Sequence, residues 1–140
     1  MTTSVTPARV LVVDDHEEHC EGLAELLSLK GFEAKCVTTG MRVLQLVAEW
    51  QPDAVLTDLS LPDINGYELC HRIRSNPDWD NIAVIFHTGS EPLPYHGVDC
   101  DAFLTYPVTT SDLVVTITGC IARRQRSFGR STTKRETVKV

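Results

Sequence analysis

Nowhere in this chain does an uninterrupted apolar run approach the roughly 20 residues that a membrane-spanning helix needs. The N-terminus also lacks the basic-then-apolar pattern of a secretory leader, so the expected compartment is the cytoplasm. Cys-x-x-Cys pairs are missing too. The five cysteines, at 20, 36, 70, 100 and 120, are scattered and odd in number. That argues for reduced, mostly packed thiols rather than a disulfide frame or a zinc site. There is no internal repeat. The 42% hydrophobic and 23% charged content is that of an ordinary globular protein, and 140 residues suffice for one domain with a core.

The net charge of −6 hides an asymmetry: residues 1–121 sum to −12 and residues 122–140 to +6. An acidic body thus carries a basic tail, able to touch nucleic acid, an acidic partner or the body itself. The plainer reading of 127–140, rich in Ser, Thr, Gly, Lys and Arg, is a solvated disordered end. The expected organisation is a flexible 1–7, a folded 8–126 and a basic 127–140.

The organising stretch is Ala54-Val55-Leu56-Thr57-Asp58-Leu59-Ser60-Leu61-Pro62-Asp63-Ile64-Asn65-Gly66. It reads as a short apolar strand that runs out at an aspartate and breaks into a loop. A carboxylate at the end of a buried strand is costly to desolvate unless something uses it. Other strands are expected at Arg9–Val13, Phe32–Val37, Ile82–Phe86 and Ala102–Leu104. A first helix carries Cys20, Leu23, Ala24 and Leu27 at helical spacing and stops at Gly31. A second spans 41–50 with Leu44, Val47 and Ala48 on one side. A third, Tyr67–Arg74, turns Leu69, Cys70 and Ile73 inward. The last, 109–125, places Leu113, Val114, Ile117 and Ile121 together, although Val114–Thr118 also has strand propensity. Pro92, Pro94 and Gly97 leave at most a short helix within Glu91–Cys100.

Five β-α alternations imply a doubly wound parallel sheet with helices on both faces. Such sheets bind ligands at the C-terminal ends of their strands, where Asp14, Asp15, Asp58, Thr88 and Tyr106 gather. Any one acid alone would serve a cap or a turn, but three at successive strand ends point to chemistry. Clustered carboxylates repel one another, and a divalent cation with oxygen ligands removes the conflict; Mg²⁺ suits such a set. An aspartate beside it can accept a phosphoryl group as a carboxylate nucleophile.

The pieces Val12-Val13-Asp14-Asp15, Asp58 through Leu69, Thr88 and the position before Pro107 resemble the receiver domain of two-component response regulators, over roughly residues 8–124. The resemblance implies a flavodoxin-like, five-stranded sheet in the order 2-1-3-4-5. It implies that Asp58 is the phosphoacceptor, that Asp14, Asp15, Asp58 and the Ser60 backbone carbonyl hold Mg²⁺, that Thr88 is the switch hydroxyl and that Phe103 is the switch aromatic. Ser60 and Ser90 occupy positions that tune hydrolysis in that family. This chain has Tyr106-Pro107 where the family has Lys-Pro, and a cis Tyr106–Pro107 bond is expected. Thr88 and Tyr106 are eighteen residues apart, which shortens the fourth helix and puts the usual dimer face in question.

Some residues draw plainer readings. His16, His19 and Cys20 lack a second ligand pair, so the two histidines read as surface groups at a helix start, and His71 beside Cys70 reads the same way. His87 reads as a packed histidine and Gly66 as a backbone turn. The expected function is that of a stand-alone receiver, a phosphoacceptor limited to self-catalysed phosphoryl transfer and autodephosphorylation. Its partners would be a sensor histidine kinase or phosphotransfer protein and a downstream effector, with nucleic acid reachable through the tail and the chain a monomer or weak dimer. The rival is a pseudo-receiver, a scaffold of the same fold that binds partners without phosphorylation.

Overall fold

The computed structural model describes residues 6–89 and 99–128. Five apolar segments form one parallel sheet: β1 (Arg9–Val13), β2 (Glu33–Val37), β3 (Ala54–Thr57), β4 (Ala83–Thr88) and β5 (Ala102–Thr105), in the order β2-β1-β3-β4-β5. The helices are α1 (Glu17–Leu29), α2 (Gly40–Trp50), α3 (Gly66–Arg74) and α4 (Thr110–Phe128), with a 3-10 turn at Pro77–Trp79. This is the parallel sheet expected from the alternation, in the flavodoxin-like order that the resemblance implied.

Side chains alternate along β1 and build two cores. Leu11 and Val13 face α2 and α3, joining Val43, Leu46, Val47, Trp50, Leu69, Cys70 and Ile73. Val10 and Val12 face α1 and α4, joining Cys20, Leu27, Leu113, Ile117, Cys120 and Ile121. With both faces covered, β3 and β4 are buried at every residue, which is why their sequences run apolar without alternation. Each fully buried Leu, Ile or Phe here contributes on the order of 1.5–3 kcal/mol.

Packing shifts two helix faces from those expected. In α2 the buried side is Val43, Leu46, Val47 and Trp50; Leu44 is half-buried and Ala48 exposed. In α4 the buried stripe is Leu113, Ile117, Cys120, Ile121 and Arg124, with Val114 half-buried, and the strand propensity of 114–118 yields to this helical spacing. β4 and β5 run to Thr88 and Thr105, slightly beyond the expected ends. Helix α4 continues to Phe128, so residues 127 and 128 are helical rather than tail. The short helix expected within 91–100 falls largely on 90–98, which, like Ser90 itself and residues 1–5 and 129–140, lie outside the described residues. No described helix is long and apolar enough to cross a membrane.

Arg124, counted by composition among the basic C-terminal charges, is an internal residue. Its side chain is 6% exposed and its Nε donates to Asp101 Oδ1 at 2.8 Å, while Nη1 donates to the Asp80 carbonyl at 2.9 Å. Arg74 from α3 meets the other Asp101 oxygen at 3.0 Å. The network ties α3, α4 and the start of β5 together at the N-terminal ends of the strands.

Candidate functional site

The register of the sheet decides which acids meet. Val13 of β1 pairs with Thr57 of β3, so Asp14 and Asp58 follow paired residues on adjacent strands. The Asp58 N–H donates to the Val13 carbonyl at 3.0 Å, and the Asp14 N–H to the Val37 carbonyl at 3.2 Å. Both acids therefore leave the sheet at the same rim. Thr88 ends β4 on the other side of β3, with Thr57 paired to Phe86. Tyr106 follows β5, its N–H donating to the Thr88 carbonyl at 2.9 Å.

Asp58 is 9% exposed. Its Oδ1 accepts the N–H of Leu59 at 2.7 Å and lies 3.4 Å from the N–H of Ser60. Its carbonyl accepts the Thr57 hydroxyl at 2.8 Å. Behind it, Gly66 begins α3 so close that a Cβ there would lie 2.7 Å from the Asp58 carbonyl oxygen and 2.9 Å from the Phe86 ring. Among the described glycines only Gly31 has a positive φ, so Gly66 is needed for close approach and not for the backbone turn expected of it.

Asp14 is 4% exposed. Its Oδ1 accepts the His16 N–H at 2.9 Å, and its Oδ2 meets His19 Nδ1 at 2.5 Å. Asp15 beside it is half-exposed, within 3.2 Å of His16 Nδ1. Among the described residues, ligand atoms of Asp14, Asp15 and His16 come within 4.8 Å of one another; Asp58 stands outside that set, its Oδ1 drawn to its own loop. His16 is the N-cap of α1, so it lies just outside the helix that carries His19.

His19, which reads from sequence as a plain surface group, is the residue that sequence reasoning missed. Only its four-residue step beyond Asp15 hinted at a place facing the strand end. Its ring meets Tyr106 edge-on at 5.7 Å, and Tyr106 packs on His87 at 4.7 Å. His87 is packed, as expected. Burial, with His19 nearby, pushes its imidazole down from the usual value against the pull of Asp58 and Asp14. Burial and the fields of Asp58 and Asp14 raise the Tyr106 phenol above its usual value, so it stays neutral. The Tyr106–Pro107 bond is cis. Phe103 sits one layer below the rim, half-buried, its ring 5.6 Å from Phe86. All five cysteines are free thiols, with Cys20, Cys70 and Cys120 buried. Burial pushes the Cys70 thiol up to about 12, which leaves it unreactive.

The donor set fits Mg²⁺. Its acids offer hard oxygen ligands, one is buried with its oxygens held by the His16 N–H and the His19 ring, and another opens to water, which Mg²⁺ retains in its shell.

The family pattern described as the response regulator receiver domain matches residues 10–118. Among curated proteins, the response regulator MprA of Mycobacterium sp. (strain KMS) is 32% identical over 125 residues, covering 88% of this chain and 54% of that protein. The transcriptional regulatory protein PrrA of Mycobacterium bovis is 29% identical, covering 100% of this chain and 60% of its own length. The chain thus spans little more than half the length of the curated relatives it matches. Among solved structures, a response regulator receiver domain protein from Clostridium thermocellum is 25% identical with a TM-score of 0.71, over 84% of this chain and 97% of that one. A CheY-like receiver from Methanospirillum hungatei aligns with a TM-score of 0.78 at 24% identity, over 87% and 99%.

Proposed function

Because the chain belongs to the response regulator receiver domain family, we propose that it accepts a phosphoryl group on Asp58 from a histidine kinase or phosphotransfer protein and passes the signal to a downstream effector. The observation that carries this reading is the emergence of Asp58 and Asp14 from paired positions of β3 and β1 onto one rim. As a receiver it is a signalling domain rather than a conventional enzyme.

Leu59 N–H engages Asp58 Oδ1, which leaves Oδ2 as the attacking oxygen. Oδ2 forms a bond to phosphorus as the P–N bond of a phosphohistidine breaks, and the departing imidazole takes up a proton. Asp14, Asp15, Asp58 and the Ser60 carbonyl would hold Mg²⁺. Bound there, it supplies charge neutralisation for the phosphoryl oxygens. Thr88, buried at the end of β4, presents a hydroxyl that can donate to a phosphoryl oxygen. Phe103 of β5, packed on Phe86 of β4, is placed to repack when β4 responds. Hydrolysis of the acyl phosphate by water then resets the switch.

Exposure to acetyl phosphate with Mg²⁺, followed by a phosphate-affinity gel, tests the reading. A retarded band in the wild type that Asp58→Asn abolishes supports it. No band in the wild type would leave the phosphorylation-independent scaffold in its place.

A further inference from the structure

Asp14 is the most enclosed acid of the rim, and both its oxygens are held from the protein side. Oδ1 takes the backbone N–H of His16 at 2.9 Å, and Oδ2 faces His19 Nδ1 at 2.5 Å. An ionised carboxylate can only accept, so Nδ1 must carry the hydrogen whether or not Nε2 is also protonated. The His19 side chain is 46% exposed, yet its ring is held in place. It meets the edge of Tyr106 at 5.7 Å and stacks parallel to His87 at 6.4 Å, and those two rings pack at 4.7 Å. Rings from α1, β4 and the turn after β5 therefore form one wall beside the acids.

We infer that His19 is a positioning residue for Asp14: held by Tyr106 and His87, its Nδ1–H fixes the orientation in which the Asp14 carboxylate is presented to a divalent cation. The inference rests on the proposed function and adds a dependence outside the acidic set. A carboxylate with both oxygens pinned cannot rotate its lone pairs away from the site. Partners that orient a metal ligand commonly contribute about 10–100-fold in affinity. Tyr106, a neutral phenol, contributes by walling the imidazole in and supplies no charge.

Calorimetric titration of Mg²⁺ into the full chain tests this. His19→Leu is expected to weaken binding about tenfold. His19→Gln, whose amide N–H can reach the same oxygen, should restore most of that loss. Equal affinities for wild type and His19→Leu would overturn the inference alone, as would a His19→Gln variant no better than His19→Leu. A wild type that takes up no Mg²⁺ would overturn the proposed function and this inference together. Long-range ¹⁵N–¹H correlation spectra of the metal-free chain provide a second readout that does not depend on the ion. They should show His19 protonated at Nδ1, and an Nε2–H tautomer would sink the inference. His19 is partly exposed, so both variants should fold, as a thermal melt will verify.

Discussion

Arg124 Nε and Asp101 Oδ1 lie 2.8 Å apart, joining the last helix to the residue just ahead of β5, with side-chain exposures of 6% and 10%. The other Asp101 oxygen takes Arg74 Nη2 at 3.0 Å and the Val84 N–H at 2.8 Å. Removing one member of such a network strands a buried charge at a cost of several kcal/mol. Arg124→Met should lower stability by about 3 kcal/mol in urea unfolding. It should still be phosphorylated by acetyl phosphate, because the network lies at the opposite end of the strands from Asp58.

Gly66 is expected to tolerate no side chain. In Gly66→Ala the new methyl meets the Asp58 carbonyl oxygen at 2.7 Å and the Leu59 Cα at 3.0 Å, both backbone atoms with little room to give. Overpacking of this kind costs about 1–3 kcal/mol. Here the displaced backbone also carries the phosphoacceptor. Both the melting temperature and the rate of Asp58 phosphorylation should fall; a variant that melts lower but phosphorylates at the wild-type rate would show that the strand end does not move.

Asp63 caps a helix it does not belong to. Its Oδ1 and Oδ2 accept the N–H groups of Gly40 at 2.9 Å and Met41 at 2.8 Å at the start of α2, and Oδ1 also takes Ile64 N–H at 2.9 Å. Slight burial works against ionisation, but these donors outweigh it and hold the carboxyl below its usual value. A depressed acid stabilises the fold above its unfolded value, near pH 4, and that contribution disappears as pH falls through the lower folded value. Asp63→Asn should therefore be less stable than wild type at neutral pH, by roughly 0.3–1 kcal/mol. The gap should close on acidification.

His87 should make stability fall at mildly acid pH. Its imidazole is depressed by burial and by His19. The unfolded chain therefore binds the proton more readily than the folded one. Stability is fully present above about pH 6.5, the ordinary histidine value, and is lost as pH drops through the lower folded value. Urea unfolding of wild type and His87→Gln on either side of that value should show a smaller acid loss in the variant.

Strand and helix order could be read directly from the chain because each relies on a local signal. Apolar runs such as Val10–Val13 and Ala83–Phe86 stop where loops begin, and their alternation with helices leaves few topologies open. Asp14, Asp15, Asp58 and Thr88 were legible for the same reason, since each stands at a strand end. The inward sides of α2 and α4 were read less well. Period alone does not rank Val43, Leu44, Leu46, Val47 and Ala48 when so many apolar residues crowd two turns, and only packing on the sheet selected Leu46 over Ala48.

What the sequence determined by itself was the parallel sheet and the rim on which its acids stand, because both follow from hydrophobic period and chain direction. Tertiary structure alone decided that Arg124 is an internal ion-pair partner, that Gly66 touches the Asp58 backbone and that His19 grips Asp14. Those contacts join residues from different elements, or across a helix start, and no local pattern of side chains encodes the distance at which two packed elements come to rest.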